Sequence, residues 1–159
     1  MLKGANIVLR SLQESDLDFL ERIENNTDNW KFGSERRKFN RKELLGYIAN
    51  AETDIKAAKQ YRFVITFNNL PIGFIDLFNY TLASAGVGVI ITENYRNKGF
   101  AKEALTLLST YALTAVNLSK LHCAITKDNV ASIKLFTSCG FELEREEQDL
   151  KYFIKLAKK

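Results

Sequence analysis

The passage that most constrains the fold is Gly86–Ala101, where a short apolar run ends, a polar turn follows and a long helix begins at once. Val87-Gly88-Val89-Ile90-Ile91 has the unbroken apolar character of a buried strand. Beyond the turn, Ala101, Ala104, Leu105, Leu108, Tyr111, Ala112 and Ala115 recur in steps of three and one, which predicts a helix from Phe100 to about Val116. The first N–H groups of such a helix lack internal partners, and its dipole adds partial positive charge there. Arg96 and Lys98 stand beside them, and Gly99 lets a ligand approach the backbone, so the turn suits a phosphate. It equally suits an ordinary strand–helix connection with solvated charges. The two common nucleotide fingerprints, Gly-x-x-x-x-Gly-Lys-Ser/Thr and Gly-x-Gly-x-x-Gly, are both absent from the sequence.

The remaining pattern predicts an α+β fold with a mixed, mostly antiparallel sheet of six to seven strands and about four helices. Asn6–Arg10 reads as a strand, and Ser11-Leu12-Gln13-Glu14 has the form of a capping box, with Ser15-Asp16 as alternative start signals for a helix to about Asn25. A second helix is expected over Arg41–Ala49. Tyr61–Phe67 and Leu70–Phe78 form strands joined at Asn68-Asn69, with Pro71 near the start of the second, and Gly86–Ile91 continues the meander. Leu121–Ile125 is a short strand. A helix from Asn129 to Cys139 closes on Gly140-Phe141, and strands follow near Phe141–Glu147 and Leu150–Leu156. Trp30 and Phe32 lie in a polar stretch, where they either cover the core edge or line a substrate pocket.

A length of 159 residues is expected to form a single domain over 1–159, and the absence of a signal-like or membrane-length apolar run points to the cytoplasm. Cys123 and Cys139 are too few for a disulfide framework, and with one histidine, His122, no zinc constellation can be assembled; no metal is expected. The net charge of +4 suits an anionic ligand but is too small to argue for nucleic acid. The basic cluster Arg36, Arg37, Lys38, Arg41 and Lys42 reads as a solvated approach to a helix or as an anion site.

Arg96-Asn97-Lys98-Gly99-Phe100-Ala101 resembles the Gln/Arg-x-x-Gly-x-Gly/Ala pyrophosphate loop of the GCN5-related N-acetyltransferases. Asn129–Phe141 is similar to that family's second motif, an Asn-led helix ending in Gly-Phe. Leu9-Arg10-Ser11-Leu12 with Asp16 resembles the opening of the branch that holds ribosomal-protein N-terminal and spermidine acetyltransferases. The resemblance implies that acetyl-CoA is the cosubstrate and a primary amine the acceptor, either a protein N-terminus or a polyamine-like molecule. It implies that amides from Asn97 to Ala101 hold the CoA pyrophosphate with charge from Arg96 and Lys98. The pantetheine arm would lie along Ile90, Ile91 and Thr92, with Asn129 and Ser132 contacting it.

Two departures bear on catalysis. Phe136 stands where many members carry a proton-donating tyrosine, so Ser132, or water held at Asn129, is the expected substitute. Gly86 stands where several relatives carry a glutamate, leaving Asp76 as the nearest acidic base, with His122, Tyr80, Glu93 or water as alternatives. Both departures also fit a degenerate acyl-CoA-binding sensor. Trp30, Phe32 and Asp76 are the candidates for the acceptor side, and the oligomeric state stays open, a homodimer included.

Overall fold

The computed structural model describes residues 1–26 and 38–158. Eight strands form one sheet: β1 (Leu2–Lys3), β2 (Ile7–Ser11), β3 (Tyr61–Phe67), β4 (Leu70–Phe78), β5 (Ser84–Ile91), β6 (Lys120–Thr126), β7 (Glu142–Glu147) and β8 (Leu150–Leu156). Their order across the sheet is β1-β2-β3-β4-β5-β6-β8-β7, and every neighbour is antiparallel except the β5–β6 pair. The helices are α1 (Leu17–Glu24), α2 (Arg41–Ala49), α3 (Ile55–Ala58), α4 (Phe100–Leu113) and α5 (Val130–Ser138). The expected architecture holds, with the two-residue β1 and the single-turn α3 too short to leave a sequence pattern.

Alternation along the strands divides the core in two. On one face Val64 and Phe74 pack under Phe19, Leu20 and Ile23 of α1 and Leu44 and Ile48 of α2. On the other, Ile65, Ile75, Leu77 and Val87 meet Ala104, Leu105, Leu108 and Ala112 of α4, with Phe136 of α5 beside them. Each fully buried Leu or Ile here contributes about 1.5–3 kcal/mol relative to exposure.

Local chemistry sets the corners. Asn68 and Asn69 both take positive φ (50° and 66°), as a two-residue hairpin turn requires. The register of β3 against β4 then slips by one residue between Ile65 and Thr66, where Pro71 opposes Thr66. At the end of α5, Gly140 (φ 89°) lets Phe141 N–H reach the Phe136 carbonyl and its own N–H reach Thr137, both at 3.1 Å. Ser11 does not cap α1 as its sequence context suggests. It ends β2, with its hydroxyl 2.6 Å from the Tyr61 hydroxyl. Asp16 orders that turn, accepting Gln13 N–H at 2.9 Å and both Arg10 Nη groups at 2.7 and 2.8 Å.

Candidate active site

The parallel pairing of β5 with β6 covers only Ser84, Ala85 and Gly86, after which the two strands separate. β5 stays paired with β4 up to Ile91, and Thr92 N–H donates to the Ile72 carbonyl at 2.8 Å. Backbone groups alternate sides along a strand, so Ile90 and Thr92 face β4 while Val89 and Ile91 face the opening. Of the expected cofactor strand, Ile91 therefore presents its main chain, Ile90 presents its side chain to the opposite core, and Thr92 is bonded inward. Val89 went unnoticed in the sequence because strand parity is fixed only by the register.

Below the opening, the turn before α4 is bent by left-handed backbone at Asn97 (φ 62°) and Gly99 (φ 85°). A Cβ at Gly99 would meet nothing within 4 Å, so the approach to the first turn of α4 is open. Arg96, Asn97, Lys98 and Gly99 are exposed, and the amides of Phe100 and Ala101 begin the helix. The Phe100 ring packs against Phe67 with centroids 4.7 Å apart, which fixes the helix start to the sheet. Arg96 Nε–H donates to the Ile91 carbonyl at 2.8 Å, tying the turn to the last residue of β5. Backbone donors, a free approach and local positive charge together fit a phosphate-bearing ligand.

Asn129 caps α5: its side-chain oxygen accepts Ser132 N–H at 3.2 Å. Only its amide NH₂ is left for another partner, while the Ser132 hydroxyl is half-buried. Phe136 is buried edge-on against Phe141, centroids 5.0 Å apart, so that position holds a core ring with no proton to give. Cys123 and Cys139 are buried, and burial pushes the Cys123 thiol up to about 12, which keeps it protonated and inert.

On the α1–α2 side of the sheet lies a cavity of about 1130 Å³ that reaches Gly88, Val89 and Ile90 of β5. Its wall includes Phe39, Tyr47, Tyr61, Phe74 and Phe78, with Asp76 and Arg62 on the sheet. Arg62, Asp76 and Gly88 stand in one row across three strands. A Cβ at Gly88 would sit 3.0 Å from Asp76 Oδ1, so the glycine keeps one side of the carboxylate uncovered. Asp76 makes no hydrogen bond among the described residues. Burial raises its pKa above the ordinary carboxylate value, the Arg62 charge opposes that shift, and Glu24 adds to it.

Arg62 lies between the rings of Tyr47 and Phe74, 5.5 and 5.2 Å from their centroids, and its Nη1 pairs with Glu24. Sequence reasoning missed Arg62 and Gly88; a charged residue inside an apolar strand was the available signal. His122 lies opposite Gly86 at the last β5–β6 pair, and its pKa is lowered by burial and by Lys120. Tyr80 is buried with Lys59 over its ring, and Glu93 is exposed in the turn after β5. Trp30, Phe32, Arg36 and Arg37 lie outside the described residues; of the same basic cluster, Arg41 pairs with Asp18 and Glu21 at 2.9 and 3.0 Å. No group of metal-ligating side chains is assembled among the described residues, and no described helix is long and apolar enough to cross a membrane.

A mixed sheet that opens between its two parallel strands, with a basic turn at a helix start, is the α+β architecture that the resemblance to the N-acetyltransferases implies. The acetyltransferase (GNAT) domain family matches residues 6–142, and the chain belongs to that family of N-acetyltransferases. It is similar to the spermidine N(1)-acetyltransferase of Escherichia coli K12, 27% identical over 148 residues, which cover 92% of this chain and 78% of that protein. The Vibrio cholerae spermidine N-acetyltransferase, solved with CoA and spermine, superposes with a TM-score of 0.86 at 26% identity, covering 97% of both chains. Another structure of the Vibrio enzyme, described as dodecameric, matches in fold with a TM-score of 0.78 at 24% identity, covering 97% and 95% of the two chains.

Proposed function

We propose that this chain, as a single catalytic domain, moves the acetyl group of acetyl-CoA directly to a primary amine. The observation that supports the reading is the Asp76 carboxylate, which makes no hydrogen bond among the described residues and is uncovered at Gly88, one residue along β5 from the open edge at Val89. The CoA pyrophosphate sits on the amides of Asn97–Ala101 with Lys98 and Arg96 nearby, and the pantetheine arm follows the open side of Val89 and Ile91. Asn129 NH₂ and the Ser132 hydroxyl reach the arm from α5. Thr92 contributes only by fixing the strand.

In the reaction the amine nitrogen attacks the thioester carbonyl carbon as its excess proton passes to Asp76. An N–H on the open edge of β5 stabilises the negative oxygen. The C–S bond then breaks, the acetyl group stays on nitrogen, and the sulfur leaves as CoA thiolate. A thiolate leaves with little help, its conjugate acid having a pKa of about 8.5, so Phe136 does not block the step. Holding both reactants together supplies much of the acceleration.

The test is thermal unfolding with and without acetyl-CoA, followed by release of free CoA on adding an amine. At 100 times its dissociation constant the cofactor adds about 2.7 kcal/mol, a shift on the order of 5–10 °C for this size. The wild type should shift and Lys98→Glu should shift less. No shift at saturating acetyl-CoA removes the cofactor site; a shift without turnover leaves an acyl-CoA-binding protein.

A further inference from the structure

We infer that Arg62 is a specificity determinant that makes this site prefer an amine with a carbonyl oxygen on the adjacent carbon, an α-amino acid or peptide N-terminus, over a polyamine. The inference rests on the proposed transferase reading and concerns the acceptor only.

A polyamine needs several unspent anions along its path, and the described cavity wall offers one. Glu24 is paired with Arg62, and Glu43 accepts Asn40 N–H at 3.2 Å at the start of α2. Just outside the wall, Asp18 and Glu21 hold Arg41. Of the carboxylates in the described wall, Asp76 alone makes no hydrogen bond among the described residues. Two cations, Lys59 and Arg62, also stand in the wall, and each repels a second ammonium group.

Arg62 instead offers a donor. Its guanidinium gives one hydrogen bond, from Nη1 to Glu24; Nε is closed off from solvent, and Nη2, which has no partner among the described residues, is the donor left for a ligand. The rings of Tyr47 and Phe74 stand beside it, 5.5 and 5.2 Å from its Cζ to their centroids. Arg62 and Asp76 are directly opposed on β3 and β4, which places their Cβ atoms about 4.5–5.5 Å apart. The nitrogen and carbonyl oxygen of one amino acid are roughly 3 Å apart by standard bond lengths. An amine facing Asp76 would turn its own carbonyl toward the neighbouring strand, from which the Arg62 Nη2 group donates. A methylene beside a polyamine nitrogen leaves that donor unmet, and unpaired buried donors are what a polar site discriminates by.

The experiment measures free CoA released from acetyl-CoA with alaninamide, free alanine, a trialanine peptide, propylamine and spermidine. We expect the three α-amino carbonyl acceptors to exceed propylamine and spermidine at least tenfold in kcat/KM. Arg62→Gln should collapse the alaninamide-to-propylamine ratio toward one, chiefly through KM, and Arg62→Lys should restore part of it. Should Arg62→Gln fail to fold, the wild-type ranking still decides. Trialanine ahead of free alanine points to protein N-termini and the reverse to amino acids; either order supports the inference. Propylamine or spermidine matching alaninamide overturns it while leaving the transferase intact. If acetyl-CoA raises Tm and no amine releases CoA, the transferase reading fails and this inference falls with it.

Discussion

At the scale of single residues, Asp76 sets activity against stability. Its carboxylate is raised in pKa chiefly by burial, so the folded protein prefers it protonated. A group whose folded pKa lies above its unfolded value, about 3.9 for Asp, stabilises fully below the unfolded value and loses that contribution as pH rises through the folded one. At neutral pH the charged form therefore costs stability. Asp76→Asn is expected to unfold at or above the wild-type temperature at pH 8, with the difference closing toward pH 4. The same variant should lose about 10²–10⁴-fold in kcat/KM, and the acid limb that follows deprotonation of Asp76 should vanish. Retained activity with an unchanged pH profile would move the base elsewhere, His122 being the next group along the sheet.

At the scale of elements, α5 has two roles at its N-terminus that substitution can separate. Asn129→Ala removes the oxygen that caps Ser132 N–H and should cost about 1 kcal/mol, a few degrees in Tm. Asn129→Asp keeps a capping oxygen but loses the NH₂, so its Tm should hold while KM for acetyl-CoA rises. If KM is unchanged in the second variant, Asn129 is a cap and nothing more. The Gly140-Phe141 stop was legible in the sequence because it depends on a few consecutive residues, as was the helix that starts at Asn129; the cap itself and the left-handed backbone at Gly99 were not read there. The row Arg62–Asp76–Gly88 was hidden. A two-residue turn at Asn68-Asn69 with no slip sets Phe67 against Leu70 and, counting back, Arg62 against Ile75. The bulge at Ile65/Thr66 advances the partner by one and brings Asp76 opposite Arg62. One inserted residue moves a side chain to the other face, and Pro71 was its only trace. Ser11 misled for the opposite reason, since a short motif read as a cap was absorbed by a strand whose partner, Tyr61, lies 50 residues away.

At the scale of the whole molecule, the function depends on where the sheet comes apart, which no local pattern encodes. β6 turns from β5 after His122 and keeps its pairing with β8 through Thr126, so the opening costs β5 its second partner while β6 keeps one. β5 holds its place through β4 on one edge and through Arg96, which takes the Ile91 carbonyl on the other. A strand edge left open inside a sheet is a template for an extended ligand to complete. Amide exchange read residue by residue should show this directly. In the free protein the N–H groups of Val89 and Ile91 should exchange faster than those of Ile90 and Thr92, whose carbonyl partners lie on β4. Acetyl-CoA should slow Val89 and Ile91 selectively, whereas 3′-phospho-ADP, which ends at the pyrophosphate and lacks the pantetheine arm, should not. Uniform slowing of all four amides would indicate general stiffening, and the strand-like seat for the pantetheine arm would be lost. Selective slowing would lay the pantetheine arm along Val89 and Ile91, next to Gly88, whose missing side chain leaves Asp76 uncovered.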